Sequence, residues 1–383
     1  MSDSGSTVGL RPFHAMEILG LAKALEAEGR DICHLEVGEP SAPPAPKVLE
    51  AVAAALPDPQ KYTHAKGQIE LREALTQYYR EQHGVEVEPN DIMVTMGSSS
   101  GFILAFLGAF QRGARIAVTR PGYPAYLNAI NALGLHAVEI PLSAARGWRL
   151  SSADIEAAYA REPFEGLLFA SPANPTGAAV DRAGLTGIVA TCRRLGVQLI
   201  SDEIYHGLDF RGPSVSALEE SRDVIVINSF SKYYCMTGWR IGWMVLPPAL
   251  VRRVEMLQQN LFISAPTLSQ IAGRVALGER AYGEAQKARY AENRAVLTAG
   301  LAALGFGVGG EPDGAFYAYA DVGRFTNDAL AFCRDMLERA GVAATPGVDF
   351  DRSGGERFVR FSYAGSRQTL EQALERMERF LPR

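Results

Sequence analysis

The 383-residue chain predicts an α/β fold, with a large domain whose mostly parallel central sheet is flanked by helices and a smaller α+β domain. Three observations carry that expectation. From Asp91 onward, short apolar runs alternate with helix-length stretches, the pattern of βαβ units around a sheet buried on both faces. After Pro247 helical periodicity takes over to about Leu304, and two more strand-like runs follow. Hydrophobic residues make up 47% of the chain, enough for a large core, and no repeat or low-complexity tract interrupts it.

The elements follow in order. Glu39–Pro46 is proline-rich and must be extended. It feeds a helix with Pro46 in its first turn and Val48, Leu49, Val52 and Leu56 along one apolar face. A second helix is expected over Ile69–His83, closed by Gly84. Strands are expected at Ile92–Thr95, Arg115–Val118, Leu135–Ile140, Leu167–Ala170, Val197–Ile200, Val224–Ile227 and Ile241–Val245, and later at Ala315–Val322 and Arg357–Tyr363. The last helix has Ser366 as its cap and Leu370, Ala373, Leu374, Met377 and Leu381 on one face, with the charges of Glu371–Arg379 in solvent. The expected division is an arm with part of the small domain over 1–47, the large domain over 48–280 and the small C-terminal domain over 281–383.

Charge and composition exclude several functions. With 38 basic and 43 acidic residues the formal charge is −5, which disfavours a nucleic-acid or anionic-membrane binder. Cys33, Cys192, Cys235 and Cys333 form no CxxC pair, so buried free thiols are expected rather than zinc or disulfides. The six histidines show no ligand spacing such as HExxH, and no metal is expected; His64 is a candidate for lining a partner's pocket. Met1–Gly9 has neither a basic n-region nor an apolar h-region, and Phe102–Phe110 is too short to span a bilayer. A cytoplasmic protein is the expectation.

In an open α/β sheet, ligands bind beyond the carboxyl ends of the strands, so the residues after each apolar run matter most. Gly97-Ser98-Ser99-Ser100-Gly101 opens a helix with small residues, which lets backbone amides approach a phosphate; the bland alternative is a plain strand-to-helix turn. Ser171-Pro-Ala-Asn-Pro-Thr-Gly177 rigidly aims the amide of Asn174, unless it is only a tight turn. Ser201-Asp202-Glu203-Ile204-Tyr205 puts an acid at the end of a buried strand, costly unless paired, or else a helix cap. Asn228-Ser229-Phe230-Ser231-Lys232 ends a strand with a lysine suited to trapping a carbonyl, because desolvation lowers its pKa. Arg240 follows in Met236-Thr237-Gly238-Trp239-Arg240-Ile241-Gly242.

Together the strings SPANPTG, SDEIY, SFSK and MTGWRIG, in that order, closely resemble the class I/II aminotransferases, pyridoxal-phosphate enzymes of fold type I, from about Gly38 to the C-terminus. The resemblance implies pyridoxal 5′-phosphate as cofactor and catalytic roles for Lys232, Asp202 and Tyr123. Lys232 would form the internal aldimine and shuttle the proton; Asp202 would pair with the pyridinium nitrogen. Asn174 and Tyr205 would donate to the ring's phenolate oxygen, and Tyr123 would stack on the ring. Gly97, the Ser98 and Ser99 amides, Ser229 and Arg240 would hold the phosphate. Tyr62 would reach the phosphate of a neighbouring subunit, implying a homodimer with shared sites. Arg360 would clamp the substrate α-carboxylate, helped by the Gly38 backbone and Asn174.

The sequence departs from the family pattern at Ser41-Ala42, where Asp-Phe is common, and at Gly122, where a bulkier residue is frequent. Both departures are expected near the pocket mouth. The function implied is ping-pong transfer of an amino group from an L-amino acid to a 2-oxo acid such as 2-oxoglutarate. No second arginine for a dicarboxylate side chain is legible, so a neutral aromatic or aliphatic donor is favoured. A cysteine-conjugate β-lyase of the same fold is the alternative. A ligand sensor fused to a DNA-binding module is disfavoured by the charge and by how early the resemblance begins.

Overall fold

The computed structural model describes residue 10, residues 12–309 and residues 312–382; the polar Met1–Gly9 stretch lies outside them. Helix α1 (His14–Ala27), strand β1 (Cys33–His34), helix α2 (Pro46–Ala55) and helix α3 (Ile69–His83) come first. An alternating block follows: β2 (Ile92–Thr95), α4 (Gly97–Ala109), β3 (Arg115–Arg120), α5 (Pro124–Ala132), β4 (His136–Pro141), α6 (Ser152–Arg161) and β5 (Gly166–Ala170). It continues through α7 (Arg182–Leu195), β6 (Gln198–Asp202), β7 (Ile225–Ser229) and β8 (Gly242–Val245). Helices α8 (Pro248–Leu261), α9 (Thr267–Gly278) and α10 (Arg280–Ala303) lead to β9 (Tyr317–Asp321) and α11 (Ala329–Asp335). The chain closes with β10 (Val342–Ala343), β11 (Thr345–Pro346), β12 (Phe358–Ser362) and α12 (Arg367–Phe380).

The block from β2 to β8 forms one seven-stranded sheet in the order β2-β8-β7-β6-β5-β3-β4. Only β8 runs against its neighbours, β2 and β7. The strands read as apolar runs because both faces are covered: Val226 packs into one core cluster, while Ile225 and Ile227 pack into the other. Each such side chain contributes roughly 1.5–3 kcal/mol by leaving water.

The chain's two ends meet. β1 pairs in parallel with β10, and β11-β12-β9 form a separate antiparallel sheet with Arg360 on its middle strand. Local signals behave as the sequence predicts at several helix ends. Gly84 closes α3 in the left-handed region at φ 64°, and the Ser366 hydroxyl accepts from Thr369 N–H at the start of α12.

One expectation needs correction. On α2, Val48 is buried, yet Leu49 and the C-cap residue Leu56 are 43% and 59% exposed, because none of the described residues covers that side of the helix. All four cysteines are buried free thiols. Among the described residues no helix is long and apolar enough to cross a membrane, and no cluster of His, Cys, Asp or Glu could hold a metal.

Candidate active site

The sheet topology gathers the motifs. Strands β2, β3, β5, β6 and β7 point the same way, so their carboxyl ends share one edge. The reversed β8 begins at that edge, with Gly242 opposite both Thr95 and Ser229, and so delivers Arg240 there. Above the edge lies a cavity of about 610 Å³.

At its floor Asp202 ends β6 and is 3% exposed. No cation pairs with it. Its Oδ2 accepts from the Tyr126 hydroxyl and its Oδ1 from the Ile204 N–H at 3.1 Å. Burial pushes its pKa up to about 6, and these hydrogen bonds only partly offset the cost. Lys232, half-buried, follows the end of β7, and its Nζ donates to the Gly38 carbonyl at 2.6 Å, not to a carboxylate. Burial first, then the charge of Arg360, lowers its pKa to about 8, so a usable fraction is the neutral, nucleophilic amine near pH 7. Tyr123 caps α5 and meets Tyr126 and Phe13 edge-on, at ring separations of 5.4 and 6.4 Å.

One end of the cavity is shaped for an anion. α4 begins at Gly97, and Ser98 and Ser99 in its first turn line the cavity. A Cβ on Gly97 would lie 2.6 Å from Nη2 of Arg240, and one on Gly242 would lie 3.1 Å from the Ser98 nitrogen. Only glycines allow that approach. Ser231 lines the cavity; Ser229 stands behind it, its hydroxyl 3.0 Å from the Ile241 carbonyl and 2.8 Å from that of Ser231.

The far wall carries Arg360, which is 3% exposed. Its Nη1 donates to Asn174 Oδ1 at 2.9 Å, and its Nη2 to the Glu36 carbonyl and to Thr345 Oγ1. The guanidinium lies between the rings of Tyr317 and Phe350, at 4.4 and 4.8 Å. Its Nε has no hydrogen-bond partner, and no carboxylate pairs with the group among the described residues. A buried cation without a counter-ion is costly, so this wall is built to receive an anion. Asn174 spends its oxygen on Arg360, which leaves its amide nitrogen as a donor.

The cavity therefore brings together Gly38, Ser98, Ser99, Tyr123, Asn174, Asp202, Tyr205, Lys232, Arg240 and Arg360. Tyr62 stands outside it, 81% exposed, and His64 is exposed with its Nδ1 accepting from Lys66 N–H. Neither Ser41-Ala42 nor Gly122 lines it, though Gly122 adjoins the lining residue Tyr123. Gly122 is required by its own backbone, since a Cβ would lie 2.3 Å from the Thr119 carbonyl oxygen.

Sequence reasoning missed several lining residues. Tyr126 sits one helical turn after Tyr123, a spacing that could have found it. Tyr317 meets Tyr205 hydroxyl to hydroxyl at 2.7 Å, and a Cβ on Gly38 would lie 1.8 Å from its oxygen. Phe13, Ala15, Met16 and Leu19 of the α1 region form an apolar wall that no motif announces.

An electrophilic aldehyde would face Lys232, a cationic ring nitrogen Asp202 and a phosphate Ser98, Ser99 and Arg240; among the described residues Lys232, Asp202 and Arg240 make hydrogen bonds but no salt bridge. The donor set fits pyridoxal 5′-phosphate, and the fold and cavity define a class of enzyme that binds it. The comparisons make the class specific. The model of the aminotransferase class I and II family matches residues 30–377, and the chain belongs to that family, whose members depend on pyridoxal phosphate. It is 44% identical over 379 residues to the valine–pyruvate aminotransferase of Mycobacterium tuberculosis, covering 98% of this chain and 97% of that one. The crystal structure of an aminotransferase from the same organism superposes with a TM-score of 0.94 at 42% identity, covering all of both chains. Thermus thermophilus aspartate aminotransferase with maleate superposes at 0.92 and 31% identity, over 97% of each chain.

Proposed function

We propose that the protein moves the amino group of a neutral aliphatic L-amino acid to a small 2-oxo acid such as pyruvate, in two half-reactions at one site. The observation that carries this reading is Arg360, a buried guanidinium with no salt bridge among the described residues, which lines the same cavity as the Lys232 amine. Arg360 binds the α-carboxylate shared by amino acid and oxo acid, through a planar fork that a lysine could not reproduce.

Bound pyridoxal phosphate supplies an aldehyde that condenses with primary amines and a ring that withdraws electrons from Cα. Asp202 would face the ring nitrogen and stabilise its proton, a cation where the buried carboxyl now has none. Asn174 Nδ2 and the Tyr205 hydroxyl orient the ring's oxygen, while Tyr123 covers one face. Lys232 Nζ, which lines the same cavity, would serve as the base that accepts and gives back the Cα proton. Ser98, Ser99, Ser231 and Arg240 would hold the phosphate, with Ser229, which the sequence pointed to, set behind Ser231 and bonded to it.

Two features favour a neutral donor. The wall offered by Phe13, Ala15, Met16 and Leu19 is apolar, and the only cations lining the cavity among the described residues are Lys232, Arg240 and Arg360. The similar Mycobacterium tuberculosis protein, a valine–pyruvate aminotransferase by name, points the same way. We read the active form as a homodimer: Tyr62 is exposed and outside its own chain's cavity, as a residue serving a partner's phosphate would be, and Leu49, Leu56, Ile69, Leu261 and Ile263 are exposed large apolar side chains.

The test is a half-reaction panel. L-Valine added without acceptor should convert the bound cofactor to its amine form, and pyruvate should restore it faster than 2-oxoglutarate does. Release of thiol and pyruvate from cysteine conjugates, with no response to valine, would overturn the reading in favour of the lyase.

A further inference from the structure

We propose that Asp349 is a positioning residue for side-chain selection: its carboxylate fastens the first turn of α1 to the segment that backs Arg360, and so sets where the apolar wall stands. The inference rests on the functional reading above and deepens it.

Helix α1 begins without a side-chain cap of its own, because Phe13 occupies the N-cap position. The missing acceptor comes from the other end of the chain. His14 N–H donates to Asp349 Oδ1 at 3.0 Å and Ala15 N–H to Asp349 Oδ2 at 2.9 Å, so both carboxylate oxygens are committed to one helix end. The helix dipole favours a negative charge there, and Asp349 is only 9% exposed. Burial raises its pKa, while these two N–H bonds oppose the shift.

The next residue extends the connection. The Phe350 ring covers one face of the Arg360 guanidinium, and its carbonyl accepts from Gly122 N–H at 3.0 Å, next to Tyr123. One dipeptide therefore touches the apolar wall, the arginine and the loop that carries the ring-stacking tyrosine. Arg360, Lys232 and Asp202 each have hydrogen bonds independent of Asp349. α1 is less secure. It spans 14 residues, an isolated helix of that length is marginal in water, and Met16 on its cavity side is 54% exposed. Loss of the Asp349 bonds should thus loosen Met16 and Leu19 and leave the reacting groups in place. A valine side chain, which packs on that wall, would notice. The methyl of alanine would notice far less.

The experiment compares L-valine and L-alanine on holoenzyme carrying Asp349→Ala, Asp349→Asn or Met16→Ala. Asp349→Ala should lower kcat/KM for valine about tenfold, mainly through KM, against about twofold for alanine. Asp349→Asn, which keeps one acceptor, should fall between wild type and Asp349→Ala. Met16→Ala should reproduce the loss on valine, and adding Asp349→Ala to it should cost little more, because both act on one wall. Equal losses on both donors, or losses that multiply in the double variant, would overturn the proposal. Should Asp349→Ala fail to fold, the same comparison between Asp349→Asn and Met16→Ala decides it. A wild-type enzyme inactive on every neutral donor would overturn the functional reading instead.

Discussion

The floor and the far wall of the cavity are built in opposite ways. The floor rises from successive strand ends of one sheet, where Ser98, Tyr123, Asn174, Asp202, Lys232 and Arg240 each follow or precede a strand by a few residues. The wall is assembled from the two ends of the chain: α1 docks on Asp349, and β1 pairs with β10. The floor keeps its geometry because a sheet buried on both faces cannot shift without losing packing. The wall's α1 buries Ile18 and Ala22 in the core but leaves Met16 exposed, and its first turn is fastened by the Asp349 carboxylate. The difference matches the division of labour proposed above, with the reacting groups on the sheet edge and side-chain discrimination on the α1 part of the wall.

That contrast can be broken most sharply at the floor. Asp202→Asn removes the charge that holds the ring nitrogen's proton, and should lower kcat by roughly a hundredfold or more while the cofactor stays bound. Steady-state rates with a cofactor absorbance count check this; an unchanged kcat would show that the carboxylate is not the ring's partner.

A smaller effect is expected at the wall, in stability rather than rate. His34 bridges Glu36 and Glu26, so β1 holds the C-terminal half of α1. The bond to Glu36, opposed by burial and helped by Glu26, raises the His34 pKa from 6.5 to about 9. Its contribution is therefore full below about pH 6.5 and lost as pH rises through about 9. Urea unfolding should find His34→Ala less stable than wild type at pH 6 and nearly equal to it at pH 10. An equal deficit at both would mean that packing, not charge, accounts for the residue.

The same division explains what was legible in the sequence. Strands such as Ile92–Thr95 and the helix Ile69–His83 could be read closely because period, cap and breaker agree locally. Floor residues could be found because a strand end followed by a turn motif is a local event. Arg360 was readable only through its match to the family pattern. Tyr317 and the α1 wall were not readable, since their role depends on contacts hundreds of positions away with no periodic or turn signal. Leu49 and Leu56 misled for a related reason: an apolar stripe predicts a covered face but not what covers it.

The central claim is that the Lys232 amine carries the cofactor. Borohydride reduction of the holoenzyme, followed by peptide mass mapping, tests it directly. The account predicts a phosphopyridoxyl group on Lys232 and on no other lysine. The same group found on a different lysine, with Lys232 unmodified, would contradict it.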